Sequence, residues 1–138
     1  MGALIGAMAQ IAASQQAAKA HRASGQAEAV ALRDKAEQAE NKAQDEEILR
    51  LQNIRRTIST QRAYWAAAGI DPSTGSPDTI ASRSYETFEL DQGAALINTR
   101  SQIRSYNKSA DAAIRISSIK ARGSLLSGAM GAAQTWNT

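Results

Sequence analysis

Both prolines of the chain, Pro72 and Pro77, fall in one nine-residue stretch, Gly69-Ile-Asp-Pro-Ser-Thr-Gly-Ser-Pro77. Proline breaks helix interiors and glycine favours turns, so the chain is punctuated here. From Gln10 to Ala68 there is no proline and one glycine, Gly25. Ala, Glu, Gln, Lys, Arg and Leu dominate that stretch, and all are good helix formers. Gly69 suits the left-handed residue that closes a helix. Asp71-Pro72 and Thr74-Gly75 read as turns. Ser76, Pro77 and Asp78 read as an N-cap, a first helical residue and a first-turn acid. The bend, residues 69–77, thus rests on Gly69, Asp71, Pro72, Gly75, Ser76 and Pro77.

The flanks carry helical periodicity. Before the bend the stripe is thin, Ala36, Ala39 and Ala43, then stronger with Ile48, Leu51, Ile54 or Arg55, Ile58 and Trp65. After it, steps of three and four run through Tyr85, Phe88, Gln92, Ala95 or Leu96, Thr99, Ile103, Tyr106, Ala110 and Ala113 or Ile114. That spacing is close to a heptad. The hydrophobic fraction is 43% but aromatics are 4%, so alanine makes up much of the apolar count and a spherical core would gain little by burying it. The pattern predicts an all-α fold, an elongated antiparallel helical hairpin assembled into a ring or tube. Its parts are an uncharged apolar segment at 1–18, a long helix at 19–68, the bend at 69–77, a second helix at 77–122 and an apolar segment at 123–138. Gly25 and Gly93 are points where either helix could break.

Charge supports the antiparallel arrangement. Folding about residue 73 sets Glu37, Glu40 and Glu47 toward Arg100, Arg104 and Lys108. Nearer the bend the signs reverse, with Arg55 and Arg56 toward Glu86 and Glu89. Exposed pairs contribute only about 0–1 kcal/mol each, so their expected use is to select register.

A hairpin brings the two apolar ends together. The first holds Gly2, Leu4, Ile5, Gly6, Met8 and Ile11; the last holds Leu125, Leu126, Gly128, Met130, Gly131 and Trp136. Small residues at a spacing of four suit close helix packing, against other subunits or in a membrane. Trp136 suits a membrane or protein interface. The first segment lacks the basic start of a signal peptide and the apolar length of a spanning helix.

Chemistry-bearing patterns are few. The chain has no cysteine, which removes thiolate chemistry and cysteine-held metals. Its one histidine, His21, reads as a surface residue. No metal, nucleotide-phosphate or nucleophile-elbow motif occurs, and no cofactor or catalytic residue is expected. The net charge of +3 is too mild to argue nucleic-acid binding alone. Arg115, Lys120 and Arg122 remain candidates for transient contact with the phosphates of double-stranded DNA.

In layout and in short strings the chain resembles the small internal virion proteins, or DNA-ejection proteins, of short-tailed bacteriophages. The strings are the alanine-rich uncharged start, Arg62-Ala-Tyr-Trp-Ala-Ala-Ala-Gly-Ile-Asp-Pro-Ser-Thr-Gly-Ser-Pro77, and the closing Gly123-Ser-Leu-Leu-Ser-Gly-Ala-Met-Gly-Ala-Ala133. The resemblance implies a non-enzymatic protein carried in the virion that leaves ahead of the genome. It implies self-assembly, with other ejection proteins, into a conduit at the host outer membrane. The alternatives are a virion structural protein that keeps its ends against protein (a tail adaptor, capsid-lining or filament subunit) and a DNA-packaging protein.

Overall fold

The computed structural model describes residues 2–135 of the chain, with side chains over 5–134. Among the described residues there are two helices: α1 over Gly2–Ala67 and α2 over Ser76–Thr135. They pack against each other as an all-α antiparallel hairpin. Neither helix breaks at Gly25 or Gly93. The apolar ends expected as separate segments at 1–18 and 123–138 are instead the outer turns of α1 and α2, through Gly2 and Thr135. Alanine is the best helix former, and no proline in either end breaks the helix.

α1 ends in a Schellman motif. Gly69 adopts φ +73°, its N–H donates to Ala66 O at 3.0 Å, and Ile70 N–H donates to Trp65 O at 2.9 Å. Asp71 then folds an Asx turn, its Oδ1 accepting from Ser73 N–H at 2.9 Å and Ser73 Oγ at 2.6 Å. α2 starts one residue earlier than Ser76 as cap would allow. Gly75, at φ +67°, holds the cap position, because its carbonyl accepts from Thr79 N–H and Thr79 Oγ1, both at 3.1 Å. Ser76 and Pro77 are therefore the first and second helical residues. Pro77 still sits where its missing N–H costs no helix bond.

The chain divides into two compact units, each a stretch of both helices. One comprises Met1–Ala36 with Ser105–Thr138; the other is Glu37–Arg104 and holds the bend. In the first the buried side chains are Ala7, Ala18, Ala29, Ala36, Ala110, Ala113, Ala121 and Ala132, with Ser117. In the second, Ile58 and Ala81 are buried and Leu51, Ile54, Trp65 and Phe88 are half-buried.

Where the sequence offered two adjacent seam candidates, the smaller one faces inward. Ala95 and Ala113 line the seam, while Leu96 and Ile114 are exposed. Ser84 replaces the expected Tyr85, and Ile48 also lies outside. The cause is close approach: a helix backbone can come near another only across small side chains. The period differs from a heptad as well. Pro77, Phe88, Thr99, Ala110, Ala121 and Ala132 are all buried or half-buried, at intervals of eleven. Eleven residues in three turns is about 3.67 per turn, close to a relaxed helix at 3.6. Such a row holds one face without the underwinding that a seven-residue repeat demands.

Candidate functional surface

The two apolar ends meet, and their small residues turn out to serve the hairpin itself. A Cβ placed on Gly128 would overlap the Ser14 side chain, and one on Gly131 would crowd the Gln10 amide. Farther along the same unit, a Cβ on Gly25 would overlap Ser117. The glycine comes from α1 in one pair and from α2 in the other. Residue numbers in Gly25–Ser117 and Ser14–Gly128 both add to 142, so the register centres on residue 71 rather than 73. The bend explains the difference, since α1 stops at Ala67.

The large apolar residues of these ends point the other way. Ile5, Met8, Leu126 and Met130 are 66–72% exposed, and Ile11 and Leu125 are exposed less fully. Gly6 is exposed with open space around it. The side chains of Gly2 and Leu4 lie outside the described residues, as does Trp136. Among the described residues no helix is long and apolar enough to cross a membrane.

The expected charge pairs do not form. Among the described residues, Glu37, Glu40, Arg55, Arg56, Glu86, Glu89, Arg100, Arg104 and Lys108 take part in no ion pair between the helices. Most of them follow a seam residue by one position: Glu37 after Ala36, Arg55 after Ile54, Glu89 after Phe88, Arg104 after Ile103. One position is about 100° of rotation, which leaves the charge on a shoulder in water. Glu47 instead accepts a hydrogen bond across the hairpin from Gln92 Nε2. The inter-helix ion pair that does form is Arg33–Asp111, at 3.6 Å. Arg33 sits within the acidic stretch of α1, and Asp111 is the acid within the basic stretch of α2. Sequence reasoning missed the pair because it compared blocks, and the contact joins one of three cations in the acidic block to the lone acid in the basic one.

Arg115, Lys120 and Arg122 are exposed on α2 without an ion pair among the described residues. Lys120 borders a shallow groove with His21, Ser24, Glu28 and Ile116 beside the Gly25–Ser117 contact. His21 is exposed, and no cluster of metal-ligating side chains occurs among the described residues. At the bend, the acidity of Asp71 is tuned by its neighbour. Hydrogen bonds from the Ser73 hydroxyl and then the Ser73 N–H hold its carboxyl below the usual aspartate range. Near it, Tyr64 and Trp65 meet edge to face at 5.7 Å, and with Thr60, Gln61 and Ile80 they line an apolar hollow. The Gln61 side-chain oxygen, Oε1, is buried without a hydrogen-bond partner.

Three surfaces stand out among the described residues: an apolar outer face at the paired ends, cations along α2 and an aromatic hollow beside the bend. The chain matches no protein-family model, no curated protein and no solved structure.

Proposed function

We propose that this chain is a non-catalytic structural subunit that works by assembling with copies of itself. The observation that carries this reading is the inversion of its side chains. Among the described residues no large side chain is fully buried, while Ile5, Met8, Leu90, Ile97, Ile119, Leu126 and Met130 stand in solvent. Apolar surface left exposed on that scale marks an interaction site. The resemblance to DNA-ejection proteins gives assembly a purpose: subunits carried in the virion, together with other ejection proteins, that form a conduit for the genome at the host outer membrane. An alanine seam suits that life, because a weakly held subunit can open and repack among neighbours.

A second reading keeps the protein in the virion, as a tail or capsid-lining subunit with its ends against protein. The absence of a spanning helix among the described residues favours it. Full-length chain added to dye-loaded vesicles of phosphatidylethanolamine and phosphatidylglycerol separates the two. Release that rises with oligomer concentration supports the conduit; a stable oligomer with no release supports the second reading. A chain that stays monomeric and inert would overturn both.

A further inference from the structure

Glycine is the poorest helix former after proline, so a glycine inside a helix asks for a cause. In α2, Gly128 and Gly131 have theirs within the hairpin, against Ser14 and Gln10. Gly123 has none. It is exposed, and a Cβ built on it would meet nothing within 4 Å. Its neighbours on that face are large and apolar. Ile116, Ile119, Gly123, Leu126 and Met130 follow one another at steps of three, four, three and four. That spacing places all five on one helical face. The four side chains are 52–68% exposed. The seam residues Ala113, Ser117, Ala121 and Gly128 lie on the opposite side of the helix.

We propose that this stripe docks a second copy of the chain, helix α2 against helix α2, antiparallel across a two-fold axis through Gly123. The stripe is symmetric about that residue to within one position. Ile116 and Met130 lie seven residues to either side, and Ile119 and Leu126 lie four before and three after. The axis therefore sets Ile116 on the second copy's Met130 and Ile119 near the second copy's Leu126. A two-fold contact needs this self-complementarity. The missing side chain at the centre lets the two backbones approach, as Gly25 does against Ser117 inside the hairpin.

Self-complementarity selects the occupant, and charge fixes its direction. Arg115, Lys120 and Arg122 flank the first half of the stripe, whereas residues 123–134 carry no charge. Antiparallel docking sets each cation opposite the uncharged half of the other copy, where its aliphatic stem covers apolar surface. Parallel docking would set Arg115 against Arg115 and Lys120 against Lys120, like charge on like. This inference rests on the assembly reading and gives it a specific face.

The absence of cysteine makes the test clean. Chains carrying Ile116→Cys and Met130→Cys are mixed and oxidised. The mixed disulfide should exceed the Ile116→Cys homodimer about ten-fold, since only close Cβ atoms can bridge. An Ile116→Cys homodimer that forms as readily would overturn the antiparallel axis. In parallel, sedimentation equilibrium compares the natural chain with Gly123→Leu, and circular dichroism follows helix content. Leucine is the better helix former, so helicity should hold or rise while dimer affinity falls about ten-fold or more. Self-association unchanged in Gly123→Leu would overturn this face and leave the assembly reading standing. A natural chain that remains monomeric, including one that binds vesicles only as a monomer, would overturn the face and the assembly reading together.

Discussion

Two residues at the bend hold conformations that few others could. Gly69 at φ +73° closes the Schellman motif, and a side chain there meets the following carbonyl oxygen. Gly69→Ala should therefore lose about 1–2 kcal/mol, read as a lower urea midpoint with an unchanged slope. A variant as stable as the natural chain would show that the motif does not hold α1 closed. Asp71 gives the bend a pH dependence. Its carboxyl is held below the usual aspartate range by Ser73, so the folded state favours the ionised form. The linkage then has one sign: the contribution is complete above the unfolded aspartate value of about 4 and is lost as pH falls through the lower folded one. Asp71→Asn should flatten the acid limb of a stability profile relative to the natural chain. An identical profile would mean that the Asx turn forms equally well in the unfolded ensemble. The sequence made these positions legible because glycine, proline and aspartate act locally. It misplaced the cap of α2 by one residue because Ser76 and Gly75 are both acceptable caps. The choice between them lay in the Thr79 hydrogen bonds to the Gly75 carbonyl.

At the scale of the helices, packing depends on the absence of atoms. Gly25 and Ser117 interlock so closely that an added methyl at residue 25 has no room. Gly25→Ala improves helix propensity yet should destabilise the hairpin by about 1–3 kcal/mol through overpacking. Ser117→Gly should recover part of that loss, and a double-mutant cycle in urea should return a coupling of about 0.5–3 kcal/mol. A coupling near zero would mean that the helices part there at little cost. The same closeness explains what the sequence concealed. A three-and-four spacing identifies a face about two residues wide, and hydrophobic reasoning then prefers the bulkier neighbour. It chose Ile48 and Tyr85 and could not decide between Ala95 and Leu96. The hairpin selects by size, so Ala95 and Ser84 face inward and Leu96, Tyr85 and Ile48 do not. The ion pairs were illegible for a related reason. Blocks of charge showed which way the helices run, but a contact requires two particular shoulders to meet, and Arg33–Asp111 is where they do.

For the molecule as a whole, a hairpin that buries mostly alanine and leaves many leucines, isoleucines and methionines exposed has, under the assembly reading, much of its hydrophobic energy on the face that meets a neighbour. Each buried methylene contributes about 0.8 kcal/mol, so a seam of alanines holds far less than the same seam built of leucine would. The residues that could supply the remainder, Leu90, Ile97, Ile119, Leu126 and Met130, face outward. Their helical positions were legible in the sequence, but their outward direction was not, because periodicity cannot say which of two apolar stripes faces the sister helix. Stability should therefore depend on concentration. Anything that binds the folded chain and not the unfolded one raises its melting temperature by mass action, and under the proposed assembly the ligand is a second copy. Across about a hundred-fold range of protein concentration the Tm should climb by several degrees, as linkage requires of a folded oligomer. Ile119→Glu, on the outer face and away from the seam, should remove the climb and leave the low-concentration Tm nearly unchanged. A Tm that is constant across the range for the natural chain would mean that the alanine seam alone sustains the hairpin, and the exposed apolar residues would then need a partner other than the chain itself.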